Sequence, residues 1–293
     1  DNRTVRAAYA FIVVGMGLKL AMFPLHLWLP NAYTFAPSVV TIFLSATATK
    51  VSLYVLIRFT FSVFDIEFLF IEQILKFLVL PLAIIAMFAM SLVAIFQHDI
   101  KKVLAFSSIA QIGYMLIGLC IISQQGLIAT FVNMFNHGIT KAALFMSLGA
   151  VTLHNGNSFL SAVKGLGKRK PVVCFTFIIG GASLVGIPGT AGFISKWMLV
   201  KATLEAGFPL LAVLVIISSL LALIYVWKII ERLYFMECNS EIALKRISFR
   251  ILCPVWILCI ACIYFGFETS LILESSELVA NIFLENNGVT KLN

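Results

Sequence analysis

The chain has 293 residues, of which 61% are hydrophobic and only 12% charged, with a formal net charge of +8. Soluble domains run near about half apolar and a quarter charged, so no water-exposed surface could be built here that kept the remainder buried; the bilayer must be the solvent. The basic surplus lies mainly in loops between apolar segments, where membrane topology accounts for it and no nucleic-acid partner is implied.

The sequence opens at Asp1 without an initiating Met and without the charged-then-apolar pattern of a signal peptide, and reads as a piece of a longer protein. A bilayer core of about 30 Å takes roughly 20 helical residues. That window gives about eight spans, near 5–23, 38–58, 76–96, 103–122, 127–150, 172–203, 208–231 and 250–267. The expected class is an all-α membrane protein forming a single membrane domain.

Taken in chain order, the first abnormal segment is LKLAMFPLHLWLPNAY (18–33), which carries Pro24, Pro30 and a charge at Lys19. The connection FSVFDIEFLFIEQ (61–73) is long enough to lie along the membrane interface. KGLGKRK (164–170) is no phosphate loop, because no strand precedes it. The run from 172 to 203 would measure roughly 48 Å as one straight helix, and it contains Gly186, Pro188, Gly189 and Gly192. Two half-helices joined by unwound backbone are expected. Such interrupted segments in corresponding positions point to the working region of an inverted-repeat transporter, and unwound backbone at membrane depth must line a wet cavity or be buried in protein. The connection MECNSEIALKRISFR (236–250) is hydrophilic. Cys259 and Cys262, two of the six cysteines, form a C-x-x-C in an apolar run without a second pair, and read as small helix-packing residues rather than a metal site.

Lys and Arg outside the spans set the orientation. One side has Arg3, Arg6, Arg58, Lys76, Lys201 and Lys291; the other has Lys101, Lys102, Lys164, Lys168, Arg169, Lys170, Lys228, Arg232, Lys245, Arg246 and Arg250. The second side is expected to be cytoplasmic.

Four lysines fall within spans: Lys19, Lys50, Lys141 and Lys196. A lysine at a helix centre costs about 2.5–3.5 kcal/mol on the lenient insertion scale, so a set of four is hard to ascribe to accident. Snorkelling to the headgroups is the alternative for each, and it is easiest for Lys19, near its segment's end. His137 precedes Lys141 by one helical turn, which puts both on one face. A lone membrane histidine is more often a helix-to-helix hydrogen bonder, but here it is paired with a lysine. Desolvation lowers the proton affinity of an ammonium group in general, so buried lysines joined by water and polar side chains can form a proton relay. SATAT before Lys50, Asn133, Asn136 and Thr140 around Lys141, and FSSIAQIGY (106–114) supply such polar groups.

KLAMFPLHLWLPNAYTFAPS, TKVSLYVLIRF, DIKKVLAFSSIAQIGYMLIGL, NHGITKAALF and SLVGIPGTAGFISKW, in this order, resemble the proton-translocating antiporter-like subunits shared by respiratory complex I and Mrp-type cation/proton antiporters. The details are most similar to the D-type subunit of the Mrp antiporters. The resemblance implies an inverted-repeat antiporter-like fold with two discontinuous helices. Residues 5–58 would be the end of a first five-helix repeat, 76–231 the second repeat, and 250–267 the final transmembrane helix. It implies that Lys19 lies on one broken helix and faces a glutamate on a helix before this segment, that Lys50, His137 and Lys141 form a central relay, and that Lys196 lies on the other broken helix as terminal donor or acceptor. Asn31 stands where the family often carries an acidic residue.

The function so implied is a proton-translocating subunit of a multi-subunit monovalent cation (Na+)/proton antiporter. The alternatives are a proton-pumping membrane subunit of complex I or a related oxidoreductase, and a non-conducting structural subunit. Expected partners are other small hydrophobic membrane subunits, lipid, protons and Na+; the expected location is the bacterial inner membrane. No cofactor or metal is expected in this chain, so any redox step would belong to partner subunits.

Overall fold

The computed structural model describes residues 3–64, 69–237 and 248–285. Among the described residues the regular structure is helical. In chain order it comprises α1 (Arg3–Leu20), α2 (Trp28–Phe35), α3 (Ser38–Val63), α4 (Phe70–Phe96), α5 (Ile100–Cys120), α6 (Gln124–Asn155), the short α7 (Leu166–Arg169), α8 (Pro171–Val185), α9 (Ala191–Glu205), α10 (Pro209–Tyr234), α11 (Phe249–Phe267) and α12 (Ser270–Glu285). Five of these, α3, α4, α5, α10 and α11, are each long and apolar enough to cross a membrane unaided.

Local chemistry sets the boundaries. Asp99 caps α5 by accepting from the backbone N–H of Lys101 at 2.8 Å, and Ser123 caps α6 by accepting from that of Gly126 at 3.1 Å. Pro171 and Pro209 open α8 and α10, where a missing N–H costs nothing. Gly156 closes α6 in the left-handed region.

The packing centres on α5 and α6. From Val103 to Cys120 every residue of α5 except Phe106 is buried, Ser107, Ser108 and Gln111 among them, as expected of a helix in a bundle's interior. α6 packs against α3, α5, α8, α9, α11 and α12. The outer helices invert the water-soluble pattern. On α10, Val213, Ile217, Leu220, Ile224 and Trp227 form an exposed apolar stripe while Ser218 and Tyr225 are buried. A face of that length and polarity suits hydrocarbon as its solvent.

The structure shortens one connection and adds one helix. The connection expected over 61–73 is shorter at both ends: α3 runs on to Val63 and α4 begins at Phe70, both as continuous extensions of spans. Those extensions begin or end in π-helical turns, at Phe59–Val63 and Leu75–Val79, so an extra residue per turn is absorbed without leaving the helix. A further helix, α12, follows the final span; its buried Ile272, Ala280, Phe283 and Leu284 join the core cluster that includes Tyr9 and Ile71. The hydrophilic 236–250 connection falls largely outside the described residues.

Candidate functional site

The break expected between 172 and 203 is present and short. α8 stops at Val185 because Gly186 adopts φ +88°, and its N–H closes the helix on Ala182 O at 2.9 Å. The chain turns through Pro188 and Gly189, and α9 starts at Ala191. Gly192 then allows the two halves to meet. A Cβ there would stand 1.6 Å from Ser183 O, inside any permitted contact, while its N–H donates to Ser183 Oγ at 3.1 Å.

Breaking α8 leaves its terminal carbonyls without helical partners. The Lys196 ammonium takes them, donating to Leu184 O at 3.2 Å and Val185 O at 2.5 Å. The glycines and the lysine of this motif therefore act together: glycine ends the helix and a buried cation satisfies the end that glycine exposes. A positive charge is also favoured at the negative end of the helix dipole.

The same accommodation recurs at the other buried lysines. Lys141, with no solvent exposure, donates to Leu104 O at 2.7 Å and to Ser107 Oγ at 2.6 Å, both on α5. Lys50 follows a π-helical turn at Leu44–Ala48 and donates to Ser45 O within it. The wider turn changes the backbone pairing and makes that carbonyl reachable. Among the described residues none of these three ammonium groups is paired with a carboxylate, since the ion pairs found are Lys76–Glu72 and Lys201–Glu205 near span ends.

His137 is the joint of the arrangement. It is buried, and neither ring nitrogen has a hydrogen-bond partner. Lys50 and Lys141 both act on it electrostatically. Its ring lines a cavity with Gln111, Asn133, Thr140, Ser183 and Lys196 that offers about 10 Å³ to a water centre, roughly the space for one water molecule. Asn136 fixes α6 against the break by donating to Ala191 O at 2.8 Å and Ser195 Oγ at 3.0 Å, and Thr140 Oγ1 lies 2.8 Å from Ser183 Oγ.

The structure thus gathers Lys50, His137, Lys141 and Lys196 around the middle of α6. Lys19 stands apart, exposed near the end of α1 where the chain breaks at Ala21. Asn31 is likewise exposed, on α2. Sequence reasoning passed over Ser183, whose small-residue surroundings gave the only hint of close packing, and Ser218. Cys259 and Cys262 sit in an apolar cluster with Ala143, Ile179 and Val255, as small packing residues do.

These features define an integral, multi-pass membrane protein with a row of basic side chains through its interior. The chain belongs to the family described as NADH:quinone oxidoreductase/Mrp antiporter, TM, whose model matches residues 1–222. It is 37% identical over 80% of its length to NADH-quinone oxidoreductase subunit N of Desulforudis audaxviator, covering 46% of that protein. It is 32% identical over 95% of its length to the D-type subunit of the Na(+)/H(+) antiporter of Alkalihalophilus pseudofirmus, covering 56% of that protein. The chain spans about half the length of these curated relatives. Among solved structures it superposes on a chain of the Mrp complex from Dietzia sp. with a TM-score of 0.88, at 25% identity over 99% of this chain and 62% of that one. A chain of respiratory complex I from Thermus thermophilus shares the fold, with a TM-score of 0.84 at 19% identity over 98% of this chain and 60% of that one. The protein is an antiporter-like membrane subunit.

Proposed function

We propose that this chain supplies the proton-conducting interior of an antiporter-like subunit in a multi-subunit, proton-pumping membrane oxidoreductase. One observation carries the reading: unpaired His137 lies within electrostatic reach of Lys50 and Lys141 and shares a water-sized cavity with Lys196. A proton can pass between such groups with little movement, because each cation rests on neutral carbonyls and hydroxyls instead of a carboxylate that would hold it fast. Lys50, His137 and Lys141 form the central relay and Lys196 its terminal donor or acceptor. Lys19 is the switching residue, turned toward a glutamate on a helix preceding this segment. In this reading residues 5–58 close a first five-helix repeat, 76–231 form the second and 250–267 the final transmembrane helix, in a bacterial inner membrane.

A redox driver is preferred because a subunit N of NADH-quinone oxidoreductase is 37% identical, against 32% for the antiporter relative. Any redox centre belongs to partner subunits. The test is Lys196→Ala in the complete complex, with proton uptake by everted vesicles driven by NADH. Loss of uptake with normal assembly is expected; unchanged uptake refutes the relay.

A Na+/proton antiporter is the second reading, favoured by the 95% coverage against the D-type antiporter relative. Iron–sulfur subunits co-purifying with the chain support the first reading. Small hydrophobic partners without metal centres, together with Na+-driven pH change, support the second.

A further inference from the structure

Two carbonyls do not enclose an ammonium group. The third side of Lys196 is the ring of Tyr114 on α5, with Nζ 5.3 Å from the ring centroid, within the roughly 6 Å over which an aromatic face attracts a cation. That ring is held at both ends. Its hydroxyl donates to Ser218 Oγ of α10 at 2.9 Å, and the Ser218 hydroxyl donates onward to Met87 O of α4 at 3.1 Å. Beside it, Gly113 packs so closely that a Cβ would stand 2.7 Å from Ala83 O of α4. Tyr114 is buried. α10 contributes no lysine to the row, yet its Tyr225 also lies beside Ser107, the hydroxyl to which Lys141 donates.

We infer that Tyr114 is a positioning residue for Lys196: its ring face completes the cation's enclosure, and Ser218 fixes the angle of that ring. This rests on the proton-relay reading, in which the stability of the charged Lys196 side chain sets how readily it takes and releases a proton. Ring and carbonyls stabilise the ammonium without competing for its proton, as a carboxylate would. Loss of the ring's negative face should therefore slow transfer at Lys196 even where the ring's volume is unchanged.

The test is a graded series at position 114 in the complete complex: Tyr114→Phe, then phenylalanines carrying one and three ring fluorines. Fluorine withdraws electron density from the face and adds little bulk, so assembly is preserved. Tyr114→Phe, which loses the Ser218 bond and keeps the face, is expected to slow proton uptake about two- to threefold. Uptake is expected to fall further with each fluorination, reaching about three- to tenfold below the Phe variant. Equal rates across the Phe series overturn the inference, since packing alone does not respond to ring electrostatics. Lys196→Ala serves as the parallel control. If it retains uptake, the relay reading fails; if it abolishes uptake while the fluorinated series is flat, only the role of Tyr114 fails.

Discussion

His137 and Lys196 belong to different helices, yet they line one small cavity, and the histidine enters it with neither ring nitrogen bonded. A group so placed can be replaced by water where water fits. His137→Ala enlarges a cavity already lined by Gln111, Asn133 and Thr140, so added water can bridge the gap. His137→Leu fills the same space with hydrocarbon. Uptake by vesicles is expected to fall about tenfold in the first and about a hundredfold in the second, in keeping with the size of proton-transfer contributions elsewhere. Equal losses would show that the ring has a purely structural role.

Lys141 separates function from stability. Its ammonium has no solvent exposure, and its partners are a carbonyl and a hydroxyl. Replacing a buried ion by an apolar group of similar shape is often neutral or stabilising by about 1–4 kcal/mol. Lys141→Met is expected to leave the melting temperature of the complex unchanged or raised while reducing proton uptake by about a hundredfold or more. Thermal melting and dye-quench measurements on one preparation check both halves.

Gly192 makes the opposite prediction. The methyl group of Gly192→Ala would stand 1.6 Å from Ser183 O, so α8 and α9 must separate. Separation also endangers the bonds from Lys196 to Leu184 O and Val185 O. A loss of about 3 kcal/mol or more is expected, the upper end of ordinary overpacking, visible as poor assembly. Gly15→Ala is the control, since nothing lies within 4 Å of a Cβ there, and its melting temperature should be unchanged or slightly raised by the better helix former.

The break and the buried cations were legible in sequence because they violate the expectations of an apolar helix. Gly186, Pro188, Gly189 and Gly192 announced the interruption, though only the structure divides their labour: Gly186 ends α8, and Gly192 admits close approach. In the first broken segment the prolines marked the region and not the break itself. The chain turns at Ala21, φ +62°, whereas Pro30 sits in the first turn of α2, where proline is tolerated. The extension of α3 to Val63 and the start of α4 at Phe70 were hidden, because Arg58 and Lys76 read as charges at span ends. α12 was hidden for another reason: with Glu274 and Glu277 on an exposed face, its apolar positions are too few to register as a span. The grouping of His137 with Lys196 depends on α6 meeting α9, a tertiary fact that no local pattern encodes.

Lys228 tests whether the buried row is special or whether any lysine on a helix end would do. Like Lys196 it donates to two backbone carbonyls at the end of another helix, here Ile95 O at 2.8 Å and Gln97 O at 3.0 Å at the end of α4. It differs in depth, lying partly exposed toward the C-terminal end of α10 and away from the cavity shared by His137 and Lys196. Its chemistry is therefore that of a cap: a cation completing carbonyls that α4 leaves open. Lys228→Met is expected to cost about 1 kcal/mol of stability, the size of a partly solvated helix-end interaction, and to leave proton uptake within about twofold of the unaltered complex. The paired measurement is a melting curve and an uptake rate. A severe transport defect with a normal melt would extend the relay to the surface at that end of the bundle, whereas the expected pattern confines it to lysines that reach the interior face of α6.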